Sequence, residues 1–278
     1  MCNDFPSDIL PWLHLKNKGI IVHQVRAAGP VLSAEEVKSA LKPRTRVVCL
    51  PHVHTFSGWA LDIVAIGQLC RKYGILFIVN GSQAVGAFEV NVADLPVDAI
   101  VCAGYKWLLG PYATGFCWLK TEVRGRLDYP QAYWTAMMDA ASLNSSAEIV
   151  LKDNHLARRY DVFATANFFN YVPWKASIEY LAGIGIGQVA RHNKTLVDQI
   201  IDGLDKKQFE CLSPALRGQR TNIVVFSHQN KAQNTKIFER LRKHGLHLAL
   251  WKGVLRAAPH IYNTPKDIER LLSVLHNV

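Results

Sequence analysis

The stretch RVVCLPHVHTFSGWALDIVAIGQLCRKYGILFIVNGSQAVG, residues 46–86, decides the fold class. Its two apolar runs, 46–50 and 75–79, are continuous rather than alternating, the pattern of strands buried on both faces. Between them, residues 59–73 set Leu61, Val64, Ala65, Leu69 and Tyr73 near one side of a helix, and Gly74 follows as a natural C′ residue. Strand, helix, strand at this spacing is a βαβ unit. The chain is therefore expected to be α/β, with a mainly parallel sheet flanked by helices and right-handed crossovers.

Outward from that unit, residues 20–25, 99–102 and 115–119 read as further strands. From Asn170 the texture changes. Helical patterns over 173–182 and 188–204 lead to a strand at 222–227, a basic amphipathic helix at 233–244, a strand at 246–250 and a helix at 264–276. The expectation is a large domain over 1–185 and a small α+β domain over 186–278, with no Pro/Gly/Ser linker between them.

Composition narrows the classes. The chain has 278 residues, 49% hydrophobic, which argues against disorder. Lys+Arg 32 against Asp+Glu 22 gives +10, a bias toward anionic ligands. The densest basic groups, at 124–126, 158–159 and 240–243, have no interleaved aromatics, so no nucleic-acid partner is expected. The start, MCNDFPSDILPW, lacks a basic n-region and a small-residue cleavage site, and no apolar stretch approaches the roughly 18 residues of a membrane span. A soluble, cytoplasmic protein is expected. The six cysteines form no CxxC pair. Cys49, Cys70, Cys102 and Cys117 lie in apolar runs and read as buried, reduced thiols.

In open α/β sheets, ligands sit beyond the carboxyl ends of the strands. Three such places carry polar residues that a sheet alone does not need: His52 to Ser57, Asn80 to Gln83, and Tyr105-Lys106-Trp107. A lysine between two aromatics in an apolar segment is partly desolvated, which lowers its pKa and suits it to Schiff-base formation; a snorkelling lysine with a solvated head is the plain alternative. His52 and His54 have no third ligand at usable spacing, so no metal is expected. Ser82 lacks the nucleophile-elbow pattern, and neither a P-loop nor a dinucleotide-binding glycine pattern occurs.

Residues 46–86 and VDAIVCAGYKWLLGPYATGFCWLK (97–120), with FATANFFN (163–170) and LRAAPHIYNTPKDIERLL (255–272), resemble the class V aminotransferase family, in the family's order and over nearly the whole chain. The resemblance implies pyridoxal 5′-phosphate (PLP) enzymes of fold type I, a group that includes cysteine desulfurases and isopenicillin N epimerase-like proteins. It implies that Lys106 holds the cofactor and moves the substrate's proton, that Gln83 bonds the cofactor's phenolic oxygen, and that Thr165 reaches the phosphate from a neighbouring subunit, hence a homodimer. Arg256 matches the arginine that receives a substrate carboxylate. Thr55 and Tyr105 fall at further cofactor positions, and His54 at a substrate position.

The chain also departs from the pattern. Asn80 stands where a carboxylate normally pairs with the pyridine nitrogen, and an amide cannot supply that charge. Tyr105 replaces a common histidine, Ala103 a serine, and Trp251 a second arginine. Members usually begin with a phosphate-binding loop and a stacking aromatic, whereas here Met1 falls directly before NDFPSDILPW, so those elements are expected to be missing. No cysteine lies between Gly245 and Arg256, which disfavours a persulfide-forming desulfurase. The implied function is a PLP-dependent, aminotransferase-like enzyme acting on an amino acid or derivative. A C–S lyase or epimerase, or an impaired remnant serving as an interaction subunit, are the alternatives.

Overall fold

A computed structural model describes residues 1–128, 138, 157, 160 and 167–277. Strands β1 (Val47–Pro51), β2 (Leu76–Asn80), β3 (Ala99–Ala103) and β4 (Gly115–Leu119) form one sheet in that order. The first three run parallel and β4 is antiparallel to β3. Register aligns Pro51 with Asn80 and Asn80 with Val101, so three carboxyl ends open on one edge of the sheet.

Helix α1 (Pro6–His14) precedes the sheet, and α2 (Ala34–Ala40) is held by a capping box between Ser33 and Glu36. Between β1 and β2 runs α3 (Ile63–Lys72), capped by the Asp62 side chain accepting from Ala65 N–H and followed by Gly74 at φ +64°. It buries Ile63, Ile66 and Cys70 against Leu50, Phe77, Val79 and Ile100. After the short α4 (Thr121–Arg124), α5 (Phe168–Ile184) and α6 (Ile186–Gly203) meet at Gly185, φ +89°. Pro173 sits within the second turn of α5.

A second, antiparallel sheet contains β5 (Phe209–Cys211), β6 (Val224–His228), β7 (Ala249–Trp251) and β8 (Val254–Ala257), ordered β5-β6-β8-β7. Helices α6, α7 (Asn234–Lys243) and α8 (Pro265–His276) cover it, with Leu196, Ile200, Phe226, Leu241, Leu255 and Leu275 in its core. Among the described residues no helix is long and apolar enough to cross a membrane.

Three expectations need correction. Residues 20–25 form no strand: Ile20 and Ile21 are exposed, and the backbone bonds of the run go to Leu15 and Cys2 rather than to the free edge of β1. The strand expected at 246–250 starts later, at Ala249, because Lys252 and Gly253, at φ +51° and +78°, make a two-residue hairpin into β8. Neither β8 nor β5 is foreseen from the sequence. Finally, only Cys70 and Cys102 are buried; Cys117 is exposed because β4 is the last strand of its sheet among the described residues and leaves a face open.

Candidate active site

Lys106 follows β3 in a loop fixed by its own backbone: Gly110 N–H donates to Gly104 O at 2.8 Å and Gly104 N–H to Thr114 O at 2.9 Å. Leu109 and Ala113 hold left-handed φ values of +53° and +66°, a cost of order 1–3 kcal/mol each that packing must over-determine. That packing is Trp174 of α5. A Cβ on Gly104 or Gly110 would fall within 2.7 Å of its ring, so these glycines let the lysine loop press against the helix.

The lysine head faces a cleft lined by Asp4, Phe5, Asp8, Pro51, Val53, Thr55, Asn80, Gln83 and Lys106, whose side chains close round a void of only about 10 Å³. Burial lowers the Lys106 pKa, with the Arg256 charge acting in the same direction and Asp8 opposing it. Its Nζ lies 5.5 Å from the Phe5 ring centre.

Three expected residues meet in one network. Trp107 Nε1–H donates to Gln83 Oε1 at 3.0 Å, and Gln83 Nε2–H donates to Thr55 Oγ1 at 2.8 Å. Arg256, reaching across from β8, donates from Nη1 to the same Thr55 Oγ1 at 2.9 Å. The guanidinium lies 4.0 Å over the Trp251 ring, its Nε is buried without a partner, and burial brings its pKa down to about 10. A desolvated guanidinium with an unused donor suits an incoming carboxylate.

Asn80 ends β2. Its Oδ1 accepts from Ser82 N–H at 2.9 Å, which turns its Nδ2 to donate to Asp8 Oδ1 at 2.6 Å. Asp8 is pushed up to about 6 by burial and then by the nearby Asp4 charge. Asp4, 6% exposed, accepts Phe5 N–H at Oδ1, while its Oδ2 is buried without a partner.

Two expected residues stand apart from this cluster. His54 is buried, with Nδ1 bonded to Ser57 Oγ in its own loop and Nε2 to Asn3 O of the N-terminal segment, so both ring nitrogens are engaged within the chain. Tyr105 is exposed and stacks on Tyr112 at 4.6 Å between ring centres. Thr165 lies outside the described residues. Asp4, Phe5 and Asp8 were not legible as site residues. The only signal was two acidic residues within an otherwise apolar and proline-bearing N-terminal run.

The donor set suits PLP: a desolvated amine for its aldehyde, carboxyl and amide groups for its ring, and a guanidinium with an orphaned donor beside them. Loading it would require side chains that now fill the void to move aside. A larger cavity of about 470 Å³, lined by His52, Trp59, Phe88 and Arg220 among others, contains none of these groups. Its Arg220 is already paired to Asp198 and Asp202, and its Lys194 donates to Arg217 O. Among the described residues no three His, Cys, Asp or Glu side chains converge as a metal site would need.

Comparison with known proteins agrees with this architecture. The profile of the family described as Aminotransferase class-V matches residues 2–271. A probable cysteine desulfurase of Methanothermobacter thermautotrophicus is 28% identical over 98% of this chain and 70% of its own. Isopenicillin N epimerase of Amycolatopsis lactamdurans is 27% identical over 94% of this chain and 68% of its own. Among solved structures, the apo cysteine desulfurase of Thermococcus onnurineus superposes with a TM-score of 0.83 at 22% identity, covering 98% of this chain and 69% of that one. A C-DES mutant with glycine covalently linked to its PLP cofactor gives 0.85 at 19%, covering 99% of this chain and 72% of that one. These structures share the fold.

Proposed function

This chain belongs to the class V aminotransferase family, and from that premise we propose that it is a PLP-dependent enzyme acting on an amino acid or derivative. The observation that carries the reading is the Lys106 amine, its pKa lowered by burial, facing the same cleft as Asn80, Gln83 and Thr55, with Arg256 bonded to Thr55. When bound, PLP draws electrons from the substrate's α-carbon into its ring. Lys106 would hold the cofactor covalently and, once released, take and return the proton at the α-carbon. An amine that loses its proton more readily than an ordinary lysine is suited to both tasks. Arg256, stacked on Trp251, would take the substrate carboxylate, and Gln83, fixed between Trp107 and Thr55, would orient the ring edge. The tight aromatic wall of Phe5, Phe56 and Trp251 keeps water from the guanidinium.

Aminotransferase-like chemistry is the leading reading, with C–S lyase or epimerase chemistry as the alternative. The relatives named as a desulfurase and an epimerase support that pair of readings, and the absence of cysteine between Gly245 and Arg256 weighs against persulfide formation. A cytoplasmic homodimer completes the proposal. It is supported by the exposed aromatic surface beside the lysine loop, where Tyr112 is 79% and Phe169 92% exposed.

The test is mass analysis of the protein incubated with PLP and reduced with borohydride. One pyridoxyl adduct on Lys106, absent from Lys106→Ala, is expected. Unmodified Lys106 at saturating PLP would overturn the reading.

A further inference from the structure

Asp8 lies 72 residues before Asn80 in sequence, and the fold brings the two together at the carboxyl end of β2. Asn80 cannot turn its amide round, because its oxygen is tied to Ser82 N–H. One N–H therefore stays committed to the Asp8 carboxylate at 2.6 Å, a charge-assisted bond. Beside Asp8 stands Asp4, nine-tenths buried and lining the same cleft, with no N–H donor to its Oδ2 and its carboxyl group within hydrogen-bond reach of Asp8. Two carboxyl groups are an expensive arrangement in a buried site unless positive charge faces them. The amino group of Met1, Lys106 and Lys252 are the cations that act on the pair.

We infer that Asp8, acting through Asn80 and backed by Asp4, supplies the negative charge that keeps a bound pyridine nitrogen protonated, in place of a carboxylate at position 80. The inference rests on the PLP reading above. Its chemistry is electrostatic: an amide bonded to a carboxylate is polarised so that its oxygen accepts more strongly, and the net charge nearby favours a protonated ring over a neutral one. Asp8 is thus a positioning residue, and no bond to it is made or broken.

The experiment uses PLP labelled with ¹⁵N in its ring, bound to the full chain and followed by NMR. Wild type should give the resonance of a protonated pyridine. Asp8→Asn should shift it to the neutral position while the borohydride-fixed Lys106 adduct still forms, and the exchanged pair Asp8→Asn with Asn80→Asp should restore it. A merely structural role for Asp8 would leave the resonance where it was, and that result would overturn the inference. So would a neutral pyridine in wild type. If neither variant folds, the wild-type titration decides: a protonated ring should move the Asp8 carboxyl ¹³C midpoint downward when PLP binds, and an unmoved or raised midpoint refutes the coupling. An adduct with an unshifted resonance removes this inference alone, whereas no adduct removes the PLP reading with it.

Discussion

Lys106 and Arg256 approach the cleft from different sheets, and each charge disfavours the other. Removing the guanidinium charge should therefore raise the Lys106 pKa. Arg256→Gln is expected to move the pH profile of Lys106 adduct formation upward, while Asp8→Asn moves it downward because Asp8 opposes the shift. Borohydride trapping across pH reads both, and an identical profile in the two variants would refute the arrangement. Thr55 is the common acceptor of Gln83 and Arg256. Thr55→Val leaves the Gln83 donor unmet in a buried place and Arg256 with only the Thr55 carbonyl, and should lower stability by about 1–3 kcal/mol, measured by urea unfolding. Of these residues Lys106, Gln83 and Arg256 were legible by resemblance and Thr55 by its place after a strand. What the sequence could not say is that they converge on a single hydroxyl.

Helix α1 carries the chief surprise among the elements. Its carboxylate Asp8 lies in the first turn, ordinarily a favourable and solvated place for negative charge. Packed on the end of β2 it becomes a buried acid, pushed up to about 6. A raised acid stabilises the folded state while it is protonated. Its contribution is complete below the ordinary value of 3.8 and is lost as pH rises through about 6, a swing of about 3 kcal/mol. Asp8→Asn removes that titration, so the variant should gain about that much stability relative to wild type between pH 4 and pH 7. A constant difference in unfolding free energy at the two pH values would contradict this. On the surface of α6, Arg220 has a side chain only 6% exposed and bridges Asp198 and Asp202. Arg220→Met leaves Asp198 and the exposed Asp202 to Arg217 alone and should cost about 1 kcal/mol, read by urea unfolding.

At the scale of the whole molecule, the site depends on how the second sheet docks on the first. Thr221 Oγ1 donates to Gly58 O at 2.7 Å, Ser213 Oγ to Ser57 O at 2.8 Å, and Asn222 Nδ2 to Ala87 O at 2.7 Å. Apolar contact between Val53, Ala84 and Trp107 on one side and Ile223 and Val225 on the other completes the joint. Gly58 sits in it at φ +70°, and a Cβ there would lie 2.5 Å from Ile223 O. Gly58→Ala should therefore destabilise by at least about 2 kcal/mol and weaken PLP capture, since it displaces Arg256 from Thr55. Calorimetry and the adduct yield test it together; unchanged values of both would show the joint to be slack.

The sequence by itself determined the fold class, the places of strands β1 to β4 along the chain and the chemical character of the lysine loop. Those features follow from local periodicity, from glycine placement and from residue types that recur in a fixed order. It did not determine that residues 20–25 stay out of the sheet, since an apolar run becomes a strand only where the tertiary fold lays it along a partner. Nor did it reveal β8, the Arg256–Thr55 bond or the Asp4–Asp8–Asn80 cluster. These join residues up to 201 positions apart. Burial, not spacing, turned Asp8 from a solvated carboxylate into a titrating group of the site, and only packed tertiary structure can exclude the water that sets that difference.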